Sequence, residues 1–203
     1  MLKRDAVMRD MRYSLAQVEQ ARPIIKQLLN GGEIKTVEGD DNEICLMLDR
    51  TCGTDYFQVY GKEDNHLDGI VWGIASRFQK SFFGRPFNTF TIRNNREGNR
   101  NVEFMKRKRA IAHNGIYPYL TMQGYYDADT KEILSLAIAR TIDIFDCIEK
   151  GLCKTQHTNE FQIGQAEFYI IDWTVMKQKG YNIKIWQKPN NNGVCCNKQL
   201  TLF

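Results

Sequence analysis

The 203-residue sequence lacks the features that mark membrane and secreted proteins. It has no run approaching the roughly 20 apolar residues that a membrane-spanning helix needs. Its first residues, MLKRDAVMRDMRY, interleave charges with methionine and contain no apolar core of a signal peptide. These absences predict a cytoplasmic protein with no membrane partner.

The six cysteines and three histidines are not arranged as a zinc site. A structural zinc site needs closely spaced ligand pairs, and no CxxC pair is present. The adjacent Cys195 and Cys196 are typical of reduced intracellular thiols rather than of a disulfide framework. We therefore expect no zinc in this protein.

Nucleotide-cofactor and nucleophile motifs are also missing. Neither GxxxxGK[ST] nor GxGxxG occurs, so no nucleotide cofactor is predicted. His66 lies in an acidic segment, and nothing in the sequence pairs it with a candidate nucleophile.

What the sequence does have is an abrupt change in charge along the chain. Residues 33–68 carry three basic and ten acidic side chains, whereas residues 69–109 carry ten basic and two acidic ones. Carboxylates that hold a cation beside arginines that hold phosphates produce such a pattern, and so do two solvated loops of opposite sign.

The apolar patterning predicts an α/β (α+β) fold with a central mixed sheet flanked by helices. We expect one domain over residues 1–188, with a core at 14–126 and a C-terminal extension at 127–188 that extends the sheet or covers one of its faces. The Asn-rich PNNNG sequence predicts a flexible tail at 189–203.

Seven helices or strands are predicted after the first helix up to the end of the core, and five more follow in the extension. The first helix covers residues 14–29. The core strands are expected at 33–38, 43–48, 54–60, 69–79, 87–93 and 119–126, with a helix at 102–113. The extension is expected to contain strands at 133–139, 167–172 and 182–186 and helices at 141–150 and 174–179.

The first candidate site is formed by Asp49 and Asp55 in LDRTCGTDYF. Gly53 allows a tight turn, after which Asp55 opens a strand. Two carboxylates at such a position are suitable ligands for Mg²⁺. Alternatively, Asp49 caps a turn and Asp55 is merely exposed at a strand edge.

The second candidate site is the polar end of the strand that follows. Strand alternation places Arg77 and Gln79 on one face together with Ala75. A guanidinium there is suited to hold a phosphate, and the amide oxygen of Gln79 is suited to a metal or a water. A strand that simply leaves the core shows the same polar residues.

The third candidate site is the basic segment RNNREGNRNVEFMKRKR at residues 93–109. Its first half is Asn-rich and predicts a flexible loop, and its second half predicts a helix on which Lys106, Arg109 and His113 share a face. Phosphate contacts suit both halves, although a solvated loop and helix would look alike. The expected nucleic-acid contacts are Arg93, Arg96, Arg100, Lys106 and Arg109.

The order of these elements resembles the core of the PD-(D/E)XK nuclease superfamily, which is helix, three strands, helix, strand. In that family the second strand begins with a metal-binding Asp, matched here by Asp55, and the third carries (E/Q)-x-K. Arg77 stands at the position of the lysine, which puts Ala75 at the position of the acid. Asp49, Asp68 or Glu33 are candidates for the missing carboxylate.

The resemblance implies a Mg²⁺-dependent endonuclease acting on DNA or RNA, with Asp55, Arg77 and Gln79 as catalytic residues and Asp49 and Asp55 as metal ligands. The missing carboxylate favours an alternative, a non-catalytic protein that binds nucleic acid or a host defence protein. The Asn/Lys/Tyr-rich composition is similar to that of phage accessory proteins and is compatible with both. A third hypothesis is an enzyme acting on a small nucleotide.

Overall fold

The computed structural model describes residues 2–37, 43–61, 69–96, 102–157 and 166–189. Within these ranges, only the backbone is described for residues 2–15, Leu46, Arg50 and Arg96. In the part of the chain that is described, none of the helices is long and apolar enough to cross a membrane.

Helices and strands alternate irregularly along the chain. The helices are α1 (Leu2–Leu29), α2 (Glu43–Met47), α3 (Glu103–Ala112), α4 (Thr141–Glu149) and α5 (Trp173–Gln178), and a π-helical turn at Leu48–Cys52 follows α2 directly. The strands are β1 (Glu33–Thr36), β2 (Tyr56–Val59), β3 (Val71–Ser81), β4 (Thr89–Arg96), β5 (Leu120–Asp127), β6 (Ile133–Arg140), β7 (Lys154–His157), β8 (Ala166–Asp172) and β9 (Ile183–Gln187).

A six-stranded mixed sheet with the order β1-β2-β3-β5-β6-β9 lies at the centre. Strands β1, β2 and β3 form an antiparallel meander, and β5 then pairs parallel to β3. Parallel neighbours need a crossover connection, which here contains β4 and α3. The mixed central sheet with flanking helices confirms the predicted α+β fold class.

Helix α1 covers one face of this sheet. Its buried side chains Val18, Ala21, Ile25 and Leu29 are spaced at three to four residues, so they form one stripe along the helix. The stripe packs against inward side chains of the sheet, among them Ile34, Tyr56, Ile74, Met122 and Leu136.

The opposite face of the central sheet carries a second layer. A three-stranded antiparallel sheet with the order β4-β8-β7 forms this layer together with α3, α4 and α5. Its core includes Phe90, Phe104, Tyr125, Ile144 and Trp173. The extension therefore does both of the things expected of it, because β6 and β9 extend the central sheet while β8, α4 and α5 cover a face.

The predicted strand at residues 43–48 is wrong, because the chain forms α2 there. The apolar residues Ile44, Leu46 and Leu48 alternate along the sequence as in a strand. However, β1 pairs directly with β2, so the segment between them supplies no strand to the sheet. Ile44 and Met47 are exposed, which shows that the alternation does not correspond to a buried face.

Three further differences concern element boundaries. Helix α1 begins at Leu2 rather than near residue 14, since no glycine or proline interrupts residues 2–13. Strand β4 continues to Arg96, so residues 93–96 are paired with β8 and are not part of a loop. Strand β7 was not predicted, and the expected tail at 189–203 lies, after its first residue, outside the described residues.

Candidate functional site

A polar cleft of about 260 Å³ opens where β2, β3, β4 and α3 approach one another. Six charged side chains line it, two carboxylates and four cations. Together with four smaller residues, the lining consists of Cys52, Gly53, Asp55, Ser76, Arg77, Arg93, Val102, Glu103, Lys106 and Arg107.

Asp55 is fixed in this cleft by backbone hydrogen bonds to two neighbouring segments. Its N–H donates to Ile74 O at 2.9 Å, and its carbonyl oxygen accepts from Val37 N at 2.9 Å. Its carboxylate oxygen Oδ2 accepts from Ser76 N at 2.5 Å. Just before it, Gly53 adopts the left-handed conformation (φ 69°) that ends the π-helical turn, as the predicted tight turn requires.

Glu103, in the first turn of α3, holds the arginines of the cleft together. Arg77 Nη2 donates to its Oε2 at 2.8 Å, and Arg93 N donates to the same oxygen at 3.3 Å. Arg107 Nη1 forms an ion pair with Oε1 at 2.9 Å, without hydrogen-bond geometry. Both carboxylate oxygens of Glu103 are therefore engaged by cationic residues.

An aromatic ring supports the same arginines from the second sheet. The guanidinium carbon of Arg77 lies 5.4 Å from the ring centroid of Phe168, and that of Arg93 lies 5.7 Å from it. Cation–π contacts of this length stabilise a guanidinium over an aromatic face. Glu103 and Phe168 thus hold the guanidinium of Arg77 from two sides, and Phe168 also contacts that of Arg93.

The charge environment of Glu103 favours its ionised form. Burial alone would raise the pKa of this carboxyl, but the charges of Arg107 and Arg77 and the N–H of Arg93 outweigh that effect and lower it. Glu103 is therefore a carboxylate at neutral pH.

Arg107 brings a guanidinium with unused donors into the cleft. The residue is 5% exposed, and its Nε, which is buried, makes no hydrogen bond within the described residues. The same holds for the hydroxyl of Ser76. A buried donor without a partner costs folding stability, and both of these atoms lie beneath the solvent-accessible surface of the cleft.

Cys52 is the sulfur-containing residue of the lining. Burial raises the pKa of its thiol, and the nearby charge of Lys106 offsets that rise only in part. The thiol is therefore protonated at neutral pH and is a poor nucleophile or metal ligand in this state.

The structure brings together four of the residues singled out in the sequence, namely Asp55, Arg77, Arg93 and Lys106. Three others, Asp49, Gln79 and Arg109, lie within the described chain but do not line the cleft. The side chain of Arg96 and the whole of Arg100 lie outside the described residues, as does Asp68.

Glu103 and Arg107 are the charged residues of the cleft that the sequence analysis missed. A signal for them exists: Phe104, Arg107 and Ile111 share one face of a helix, and Phe104 and Ile111 both pack into the second core. An arginine on an apolar helix face needs a partner, and Glu103, four residues earlier, is placed to supply it.

The described residues do not form a Mg²⁺ site by themselves. Mg²⁺ takes oxygen ligands in octahedral geometry, commonly one or two carboxylates together with water. Of the two carboxylates in the cleft, Glu103 is occupied by Arg77 and Arg107. Among the described residues, no three Asp, Glu, His or Cys side chains are grouped so that they could hold a metal ion.

Comparison with known proteins found a likeness in structure but no match in sequence. No protein-family model matches the sequence, and the search of curated proteins found no match. Among solved structures, the fold is similar to the restriction endonuclease BglI bound to its DNA recognition sequence, with 9% identity and a TM-score of 0.36 over 91% of this chain and 86% of that chain.

Proposed function

We propose that this chain binds nucleic acid and holds a backbone phosphate in the cleft. The observation that carries this proposal is the group of four cations that line the cleft, Arg77, Arg93, Lys106 and Arg107. Four cations against two carboxylates leave a formal excess of two positive charges in the lining. A phosphodiester carries one negative charge and acceptor oxygens that match guanidinium donors.

The size of the cleft favours a phosphate group over a whole nucleotide. Pockets that enclose small-molecule ligands usually have volumes of about 300–1,000 Å³ and mainly apolar walls. This cleft is smaller, at about 260 Å³, and charged side chains dominate its walls. One phosphate of a longer chain therefore fits the site better than the small nucleotide of the third hypothesis.

The test is binding of labelled single- and double-stranded DNA and RNA, followed by fluorescence anisotropy. Removal of two cleft cations in Arg93→Gln/Lys106→Gln should weaken binding about tenfold or more, since each lost phosphate contact removes about 1 kcal/mol or more. The matched control is Lys154→Gln, which removes an exposed cation of β7 that does not line the cleft. Equal affinities for all three proteins would contradict the proposal.

A second candidate function is metal-dependent cleavage of the bound phosphodiester, as the resemblance to PD-(D/E)XK nucleases implies. The observation that favours it is the position of Asp55, which enters β2 next to Arg77 of β3 and faces the same cleft. The occupied carboxylate of Glu103 argues against it, so a metal ion held by Asp55 would need further ligands from elsewhere in the chain.

Cleavage is tested on a denaturing gel with Mg²⁺ or Mn²⁺ and with EDTA. If this second candidate is right, product forms only with metal, and Asp55→Asn abolishes it while Asp129→Asn, at an exposed turn, does not. Intact nucleic acid under every condition, together with cleft-dependent binding, identifies a binding protein without catalysis.

A further inference from the structure

The loop between β3 and β4 exposes three phenylalanine rings. In this loop, which we call the aromatic loop (residues 82–87), Phe82 is 62% exposed, Phe83 94% and Phe87 70%. Only Phe87 has a described ring contact, an edge-to-face approach to Tyr125 with centroids 6.1 Å apart. Scattered single apolar residues are ordinary on a protein surface, but three exposed aromatic rings within one six-residue loop indicate a contact surface.

The backbone of the aromatic loop is unfavourable for the residue at its tip. Arg85 N donates to Phe82 O at 3.3 Å, which closes a four-residue turn. Both central residues have positive φ, 58° at Phe83 and 64° at Gly84, as in a type I′ turn. Asn-Gly is the preferred pair for that turn, and a bulky aromatic residue with positive φ is strained. The backbone conformation of Phe83 therefore lowers the folding stability, and its exposed ring does not offset that loss by burying apolar surface.

The segment that contains the aromatic loop carries charges of one sign, while the neighbouring strands bring Asp127 of β5 and Asp172 of β8 into register with Ser81 and Thr89 at the base of the loop. Residues 69–96, which include β3, the loop and β4, contain five basic side chains and no carboxylate. Arg85 is exposed within the loop itself, and Lys80 is exposed just before it. Exposed aromatic rings that alternate with the exposed cations Lys80 and Arg85 are complementary to a polyanion that carries planar rings.

We propose that the aromatic loop stacks on unpaired bases of the nucleic acid whose phosphate the cleft binds. This inference rests on the proposed function and narrows the ligand to single strands or unpaired segments. Bases within a duplex already stack on one another, whereas the exposed faces of unpaired bases can stack on phenylalanine. Arg85 would contact the phosphates next to those bases.

The two strands that flank the loop connect it to the cleft. Arg77 precedes Phe82 by five residues, which is about 17 Å along an extended strand. Arg93 follows Thr89, where β4 begins, by four residues, which is about 14 Å. At about 3.4 Å per stacked nucleotide, these distances correspond to about four or five nucleotides. A short single strand is thus long enough to contact both sites.

The experiment compares a short single-stranded oligonucleotide that contains 2-aminopurine with the duplex of the same sequence. Wild-type protein should bind the single strand more tightly and change the 2-aminopurine fluorescence by stacking. Phe83→Asn should weaken single-strand binding about tenfold, while duplex binding changes little. Because Asn suits the turn, the same variant should unfold about 2 °C higher, so a binding defect cannot come from misfolding.

The matched control is Ile116→Asn, which replaces another exposed apolar residue far along the sequence and should leave binding unchanged. If Phe83→Asn binds the single strand as tightly as wild type while Arg93→Gln/Lys106→Gln binds it more weakly, the aromatic loop does not stack on bases. The proposed function of the cleft would then still stand. Absence of any binding by wild type would overturn the proposed function as well. If wild type sediments with phospholipid vesicles and Phe83→Asn does not, the loop binds a lipid surface. That result would also overturn the inference of base stacking.

Discussion

At the scale of single residues, Glu103 determines the arrangement of the cleft. Its side chain is 18% exposed and lies between those of Arg77 and Arg107, which are 25% and 6% exposed. Two partly buried guanidinium groups would repel each other without a carboxylate between them. Glu103 therefore stabilises the cleft and sets the direction in which the remaining arginine donors point.

Glu103→Gln should lower the free energy of unfolding at neutral pH by about 2 kcal/mol, because it leaves two partly buried arginines without a counter-charge. Urea unfolding followed by circular dichroism measures the change. The control is Glu149→Gln on α4, whose carboxylate is exposed and lies 3.7 Å from Lys108. That variant should change the stability by less than about 0.5 kcal/mol.

The same carboxylate should make the stability sensitive to acid. The pKa of Glu103 is lowered in the folded chain from its ordinary value of 4.5. Its ion pairs therefore stabilise the fold fully above pH 4.5, and this contribution is lost as the pH falls through the lowered pKa. The stability difference between wild type and Glu103→Gln should shrink on acidification below pH 4.5. A difference that stays constant would contradict this role.

The residue types of the cleft explain why sequence reasoning found only part of it. Asp55 could be identified because an aspartate after a glycine turn and before a β-branched and aromatic run is a recognisable local pattern. Arg107 looked like one cation in the basic run 106–109, and only the packing of Phe104 and Ile111 shows that it points inward. Which cations of a basic run face a site depends on tertiary contacts.

At the scale of elements, the parallel pair β3–β5 positions Arg77 of the cleft. Arg77 is in register with Gln123, and Phe78 is in register with Gly124. The Phe78 ring lies directly over Gly124, so that a Cβ added there would overlap its Cε1 and Cδ1 atoms. On the other face, Gln123 Oε1 accepts from Thr91 Oγ1 at 3.1 Å, which joins the two sheets.

Gly124→Ala should therefore destabilise the fold by about 1–3 kcal/mol, because the new methyl group displaces a packed ring. Thermal unfolding measures the loss. In the double variant Gly124→Ala/Phe78→Leu the smaller side chain leaves room for the methyl group, so the two changes should be less destabilising together than their sum. Strict additivity would show that the ring does not limit the space at Gly124.

Most helices and strands could be predicted from the periodicity of the apolar residues and from the residues that typically begin or end such elements. The apolar stripe of α1 and the apolar run predicted as a strand at residues 69–79 are local patterns, and the structure confirms both elements as α1 and β3. The assignment of strands to two different sheets did not follow, because β4 shows the same alternation that a strand of the central sheet would. Its partner β8 lies more than 70 residues away, and local sequence does not encode that pairing.

At the scale of the whole molecule, the two oppositely charged segments of the sequence meet in one place. Asp55 comes from the acidic segment 33–68, and Arg77, Arg93, Lys106 and Arg107 come from the basic segment 69–109. The sheet order makes this contact possible, because β2 is hydrogen-bonded to β3. Positive charge concentrated in a cleft attracts polyanions and increases their association rate, more so at low ionic strength.

The salt dependence of nucleic-acid binding tests the central claim most directly. If phosphates occupy the cleft, the logarithm of the association constant for a single strand falls linearly with the logarithm of salt concentration, by about 0.7 for each phosphate contact. Arg93→Gln/Lys106→Gln should make that slope shallower by about 1.4, while Lys154→Gln leaves it unchanged. Identical slopes for the three proteins would show that nucleic acid, if it binds, does not bind in this cleft.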